Sequence, residues 1–239
     1  MPVYNFPTET IELPSKGLLY PHTNPLSFGK VDVYYMNAIH EDILTNKNYI
    51  KQGVVFDKLL EKLIATPINY DDLLVGDKDA IFIAARILAY GKDYKISNNL
   101  TVDLTELNEI YLDPKLVKQP GVNEFDFTLP VCKKQITFKI LTHKDEKDID
   151  AEVAALQKIS PESSPLITTR FKYMITSVDG KRDNKSVREF IDKGELLSRD
   201  SLALRSYINK ISPGINLNVK HDGEDVAIQI GIEFFWPTA

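Results

Sequence analysis

The sequence predicts an α+β fold: mixed helices and antiparallel hairpins, with an extended N-terminal arm and a C-terminal β-hairpin. Three observations carry that expectation. "EFDFTLPVCKKQITFKIL" and the C-terminal "VAIQIGIEFF" alternate apolar and polar residues, as half-buried strands do. Several other stretches repeat apolar residues at helical spacing. The first 30 residues hold Pro7, Pro14, Pro21 and Pro25, which fix φ and remove amide donors. The expected organisation is an arm over 1–30, an α+β domain over 31–160, and a helical region with a hairpin over 166–239, separate from the second part or continuous with it.

Along the chain, the proline-rich start reads as extended and turn-rich, and its Leu13, Leu18, Leu19 and Tyr20 suit it to lie on another surface. That surface is either its own domain or a neighbour's. "VDVYYM" reads as a strand. "HEDILTNKNYIKQGVVFDKLLEKLIAT" reads as helical with a break at Gly53, and Val55, Leu59 and Leu63 recur on one face beside Phe56, Leu60 and Ile64. Pro67 ends it. In "DDLLVGDKDAIFIAARILAYGKDY", Asp77 stands where an N-cap belongs, Asp79 falls in the first turn, and Gly91 suits the residue just past the end.

A polar connection with Pro114 and Pro120 leads to the hairpin over 124–141. An amphipathic helix over 145–159 follows, with Ile149, Val153 and Leu156 on one side. "TTRFKYMITSVDG" fits either strand or helix. Two helices come next, the second closed by Pro213-Gly214. In the terminal hairpin, Asp222-Gly223 supplies the turn, and alternation runs unbroken from Val226 through Phe234.

Charge and composition exclude several function classes. The formal charge of −5 argues against a dedicated nucleic-acid binder. Residues 71–128 hold 11 acidic and 6 basic side chains, a net of −5, whereas 170–210 hold 10 basic and 6 acidic, a net of +4. These read as solvated surface, the alternative being complementary patches that pack together or steer a partner. "AIFIAARILAY" is the longest apolar stretch and is too short to span a bilayer, so no membrane role is expected. Cys132 is alone, which removes intramolecular disulfides and cysteine zinc clusters and fits a reducing cytoplasm.

No motif for catalysis emerges. "SFGKV" lacks the upstream glycine and following hydroxyl of a phosphate loop, and His22, His40, His143 and His221 stand singly. "DGKRDNKSVREF" misplaces the glycine and lacks the closing glutamate of a calcium loop. Cys132 stands beside Lys133 and Lys134, which would lower its pKa, but it has no histidine near in sequence and reads as a bystander. The chain is therefore expected to be non-enzymatic, with no catalytic residue, cofactor or metal. The one enzymatic alternative is a metal-dependent enzyme built on the acidic cluster Asp71, Asp72, Asp77 and Asp79. For partner binding, Phe234, Phe235, Trp236 and Pro237 are one set of candidate anchors, since aromatics facing away from the core favour interfaces. Leu13, Pro14, Leu18, Leu19 and Tyr20 of the arm are the other. For both sets the competing reading is that the residues are core.

Taken in order, "LPSKGLLYP", "EDILTN", "IKQGVVFDKLLEKLI", "DLLVGDKDAIFIAARILAYGKDY", "FTLP", "ITFKILTHKDEKDID", "SVDG" and "FFWP" resemble the baseplate hub and hub-assembly proteins of T-even-like contractile-tailed bacteriophages. The resemblance spans nearly the whole chain and lies in the ordered set. It implies a structural protein of viral tail assembly, without enzymatic activity, that binds other baseplate hub and tail proteins, alone or as an oligomer. It further implies residence in the host cytoplasm during virion assembly, and in the baseplate of the virion if the protein is retained there. Some members carry paired cysteines in the regions of "YKISNNLTVDL" and "NVKHDGED". This chain has none there, so no metal is carried over.

Overall fold

A computed structural model describes residues 6–97, 100–162, 164–221 and 223–236. Its elements are α-helices and small, wholly antiparallel sheets, which is the expected α+β class. The chain opens with β1 (Thr8–Glu12), which pairs along its length with β2 (Lys30–Tyr34). The N-terminal arm therefore lies on its own chain, and Leu13, Leu19 and Tyr20 enter the core.

Helices α1 (Ala38–Leu44), α2 (Lys47–Gln52) and α3 (Val55–Leu63) follow, and Gly53 in the left-handed region ends α2. The apolar spacing read in α3 is realised, with Val55, Leu59, Leu60 and Leu63 all buried. Helix α4 (Val75–Tyr90) is apolar nearly all round and lies inside the molecule. It begins earlier than expected. Its N-cap position is Leu74, which offers no side-chain cap. The first-turn amides find other acceptors, as when Val75 N donates to Leu141 O (3.1 Å). Asp77 is thus inside the helix rather than at its cap, and Asp79 stands in the second turn.

Next come β3 (Asp93–Ser97), β4 (Leu100–Asp103) and β5 (Glu109–Ile110). The expected hairpin is β6 (Phe125–Thr128) with β7 (Gln135–Phe138), and α5 (His143–Ile159) follows behind a Thr142–Asp145 capping box. The stretch that fitted either helix or strand is both: α6 (Leu166–Met174) runs directly into β8 (Ile175–Val178). Strand β8 pairs with β7, so one sheet joins residues on either side of the loop at 160–165.

Helices α7 (Asn184–Asp192) and α8 (Ser198–Ile211) lead to β9 (Gly214–Ile215), which pairs with β5, and then to the hairpin of β10 (Asn218–His221) and β11 (Glu224–Ala227). Asp222 of the expected turn and Pro237 lie outside the described residues. The last strand is shorter than its alternation suggested, ending at Ala227. Beyond Gly231 the chain forms a 3₁₀ turn, Ile232–Phe235. The physical reason is burial: a strand would turn Phe234 and Phe235 to opposite faces, whereas the turn delivers both to the core.

One buried apolar cluster extends from Leu13 to Phe235 and includes residues of every region. No helix among the described residues is long and apolar enough to cross a membrane.

Candidate functional site

Helix α4 fastens both ends of the chain. Near its start, the buried Asp77 carboxylate accepts from Ser15 N (2.9 Å), Ser15 Oγ (2.6 Å) and Tyr20 Oη (2.6 Å). Tyr20 Oη also accepts from Leu74 N (2.9 Å). Burial raises the Asp77 pKa above the ordinary carboxylate value, against the opposing pull of these three donors. Burial, together with the adjacent carboxylate, holds the Tyr20 phenol well above its usual range.

Near the end of α4, Arg86 is buried and forms no ion pair among the described residues. Its Nε donates to Phe234 O (2.9 Å), and its terminal nitrogens reach Gly91 O and Asp93 O (3.1 and 3.5 Å). Its plane lies over Tyr90 and Tyr94 at 5.0 and 5.9 Å. A guanidinium satisfied by carbonyls and ring faces avoids the full cost of an unpaired buried charge.

These contacts decide the placement of the expected anchors. Phe234 and Phe235 are 1% and 0% exposed. Phe235 packs against Phe82 (5.5 Å between ring centroids) and Phe56 (6.3 Å), and Phe234 against Tyr94 (5.0 Å). Leu13, Pro14, Leu19 and Tyr20 are buried and Leu18 is half-buried. Leu13, Pro14, Leu19, Tyr20, Phe234 and Phe235 therefore lie in the core rather than on a free surface, and Leu18 packs against it with part of its side chain exposed. Trp236, at 47% exposed, keeps a surface.

The acidic cluster disperses. Asp71 pairs with Lys147 (3.0 Å), Asp72 accepts from Asn24 Nδ2 (2.9 Å), and Asp77 faces the N-terminal arm. Among the described residues no group of three or more His, Cys, Asp or Glu side chains is placed to hold a metal ion. Cys132 also departs from expectation. Burial, reinforced by the Asp200 carboxylate, pushes its thiol pKa up despite the neighbouring lysines.

Of the four, only Asp79 meets no hydrogen-bond donor among the described residues. Burial pushes its carboxyl up to about 6, with Lys78 opposing and Glu146 adding to the rise. It lines a cleft of about 650 Å³ between α4, α6, α8 and the β9 segment. Ile140, Leu141, Met174 and Leu217 supply apolar lining, while Arg170, Arg205 and Asn209 supply polar groups. The close approach at one wall depends on Gly76, where a Cβ would stand 1.8 Å from Pro213 O. Next to it, His143 Nε2 lies 2.6 Å from Asp57 Oδ1, its buried Nδ1 has no partner among the described residues, and Lys147 reaches Asp57 at 3.5 Å.

Sequence reading missed both the cleft and the His143–Asp57 pair. The only trace of the cleft in the sequence is the basic excess over 170–210. No family model, curated protein or solved structure matches this chain.

Proposed function

We propose that this chain is a non-enzymatic morphogenesis protein of a T-even-like contractile-tailed bacteriophage, a component or assembly factor of the baseplate hub that acts through contacts with other hub and tail proteins. The observation that carries the proposal is the ordered set of stretches from "LPSKGLLYP" (13–21) to "FFWP" (234–237), which resembles that family across nearly the whole chain. The fold is compatible with this reading and gives two of those stretches a shared task. The first docks on Asp77 and the last on Arg86, both on the helix of the longest resembling stretch. Placed this way, they act as structure, and partner contacts fall to other surfaces.

The enzymatic alternative needs the aspartates of 71–79 to converge, and three of them are held by Lys147, Asn24 and the Ser15–Tyr20 pair. No observation favours that alternative.

The test is co-expression with the other hub proteins of the same phage, followed by size-exclusion chromatography and electron microscopy. A defined complex containing this chain is expected. A chain that elutes alone in every combination would contradict the proposal.

A further inference from the structure

Three of the chain's six arginines are engaged: Arg86 with carbonyls, Arg182 with Glu124 and Arg188 with Glu152. The other three, Arg170, Arg199 and Arg205, form no ion pair among the described residues, and all lie on α6 or α8. Two of them, Arg170 and Arg205, line the cleft from opposite helices.

Each helix repeats a pattern of exposed apolar residues one turn before an arginine. On α6, the exposed Leu166 and Ile167 stand one turn before Arg170. On α8, Leu202, 58% exposed, stands one turn before Arg205, which is one turn before Asn209. Guanidinium groups without an ion pair among the described residues thus line the cleft from both helices, each with an exposed apolar side chain one turn away, and Leu202 is itself part of the lining. Guanidinium groups match carboxylates in planar, two-pronged geometry. We infer that this cleft is a docking site for an acidic, leucine-bearing extended segment of a partner protein, with carboxylates on Arg170 and Arg205 and apolar side chains on the floor between them.

Nucleic acid is the competing anionic occupant. A carboxylate at the cleft wall, Asp79, repels a phosphate backbone, and the apolar floor offers sugars and phosphates nothing. An acidic peptide feels the same repulsion, but its apolar side chains fill the floor and its backbone amides can donate to Asp79, which meets no donor among the described residues. The inference deepens the hub proposal by naming the surface and the partner chemistry, and it rests on that proposal only for the partner's identity.

Two experiments separate the two claims. In the first, the full chain labelled with ¹⁵N is titrated with acetyl-Glu-Leu-Asp-Leu-Glu-amide, with its Lys-Leu-Lys-Leu-Lys counterpart, and with pentathymidylate. The acidic peptide should shift amides of 166–174 and 198–211, and Arg170→Glu with Arg205→Glu should weaken it roughly tenfold or more. No shift in those helices, equal binding of the basic peptide, or tighter binding of the oligonucleotide would overturn the inference. In the second, the same double variant replaces the wild type in hub co-expression. If the wild type assembles and the variant assembles equally well, the cleft inference fails and the hub proposal stands. If the acidic peptide binds but the wild type joins no hub complex, the hub proposal fails and the cleft stands.

Discussion

The two ends of α4 and the cleft between α6 and α8 treat charge in opposite ways. Asp77 and Arg86 are buried, and their polar atoms are met by donors and acceptors: Ser15 and Tyr20, 62 and 57 residues away, for Asp77, and for Arg86 Phe234 O, 148 residues away, with the nearby Gly91 and Asp93 carbonyls. Arg170, Arg205 and Asp79 are more accessible and lack such partners among the described residues. Satisfied buried charge makes a fold specific, whereas unsatisfied charge at a cleft leaves interaction capacity for something outside the chain. The contrast separates the residues that hold this protein together from those placed to meet a partner.

The largest effects should come from the fastened side. Phe235→Ala removes a ring packed against Phe82 and Phe56 and should cost about 3–5 kcal/mol in urea unfolding. Asp77→Ala strands the Ser15 amide, the Ser15 hydroxyl and the Tyr20 hydroxyl, with a cost of roughly 3–4 kcal/mol expected in the same measurement. A change under 1 kcal/mol for either would blur the contrast. Arg86→Met keeps much of the side chain's volume but frees the Phe234 carbonyl, so a smaller loss of about 1–3 kcal/mol is expected.

On the cleft side, stability should move the other way. The Asp79 carboxyl has its pKa raised from 3.8 to about 6, so the folded state holds that proton more tightly than the unfolded chain does. Its ionisation therefore leaves stability unaffected below pH 4, erodes it as pH rises from about 4 to 6, and costs a constant amount above that range. Asp79→Asn should stabilise the protein by about 1–2 kcal/mol at pH 8 and leave it nearly unchanged at pH 4. Melting curves at the two pH values decide this, and an equal effect at both would remove the assignment. The smallest stability effect should be that of Arg170→Glu with Arg205→Glu, within about 0.5 kcal/mol, since neither arginine has a partner to lose.

What was legible in the sequence divides along the same line. The apolar face of α3, the β6–β7 hairpin and the two successive helices α7 and α8 follow from neighbours in sequence, where period and turn chemistry act directly. Asp77 misled because the local signal for an N-cap is real. Its true partners, Ser15 and Tyr20, lie 62 and 57 residues away, and tertiary contact overrode the local preference. The alternation through Phe234 misled similarly, since burying two adjacent rings required a turn instead of a strand. The cleft was illegible because five separate stretches of chain build it, and composition showed only a basic excess.

Native-state hydrogen exchange tests the central claim, that the segments around Ser15 and Phe234 belong to the core, most directly. The account predicts that the amides of Ser15, bound to Asp77, and of Phe234, bound to Gly231 O, exchange with nearly the same opening free energy as those of Ile83–Ile87 within α4. Exchange of either terminal amide through local opening, several kcal/mol below the α4 value, would contradict it and return the arms to the role of free partner anchors.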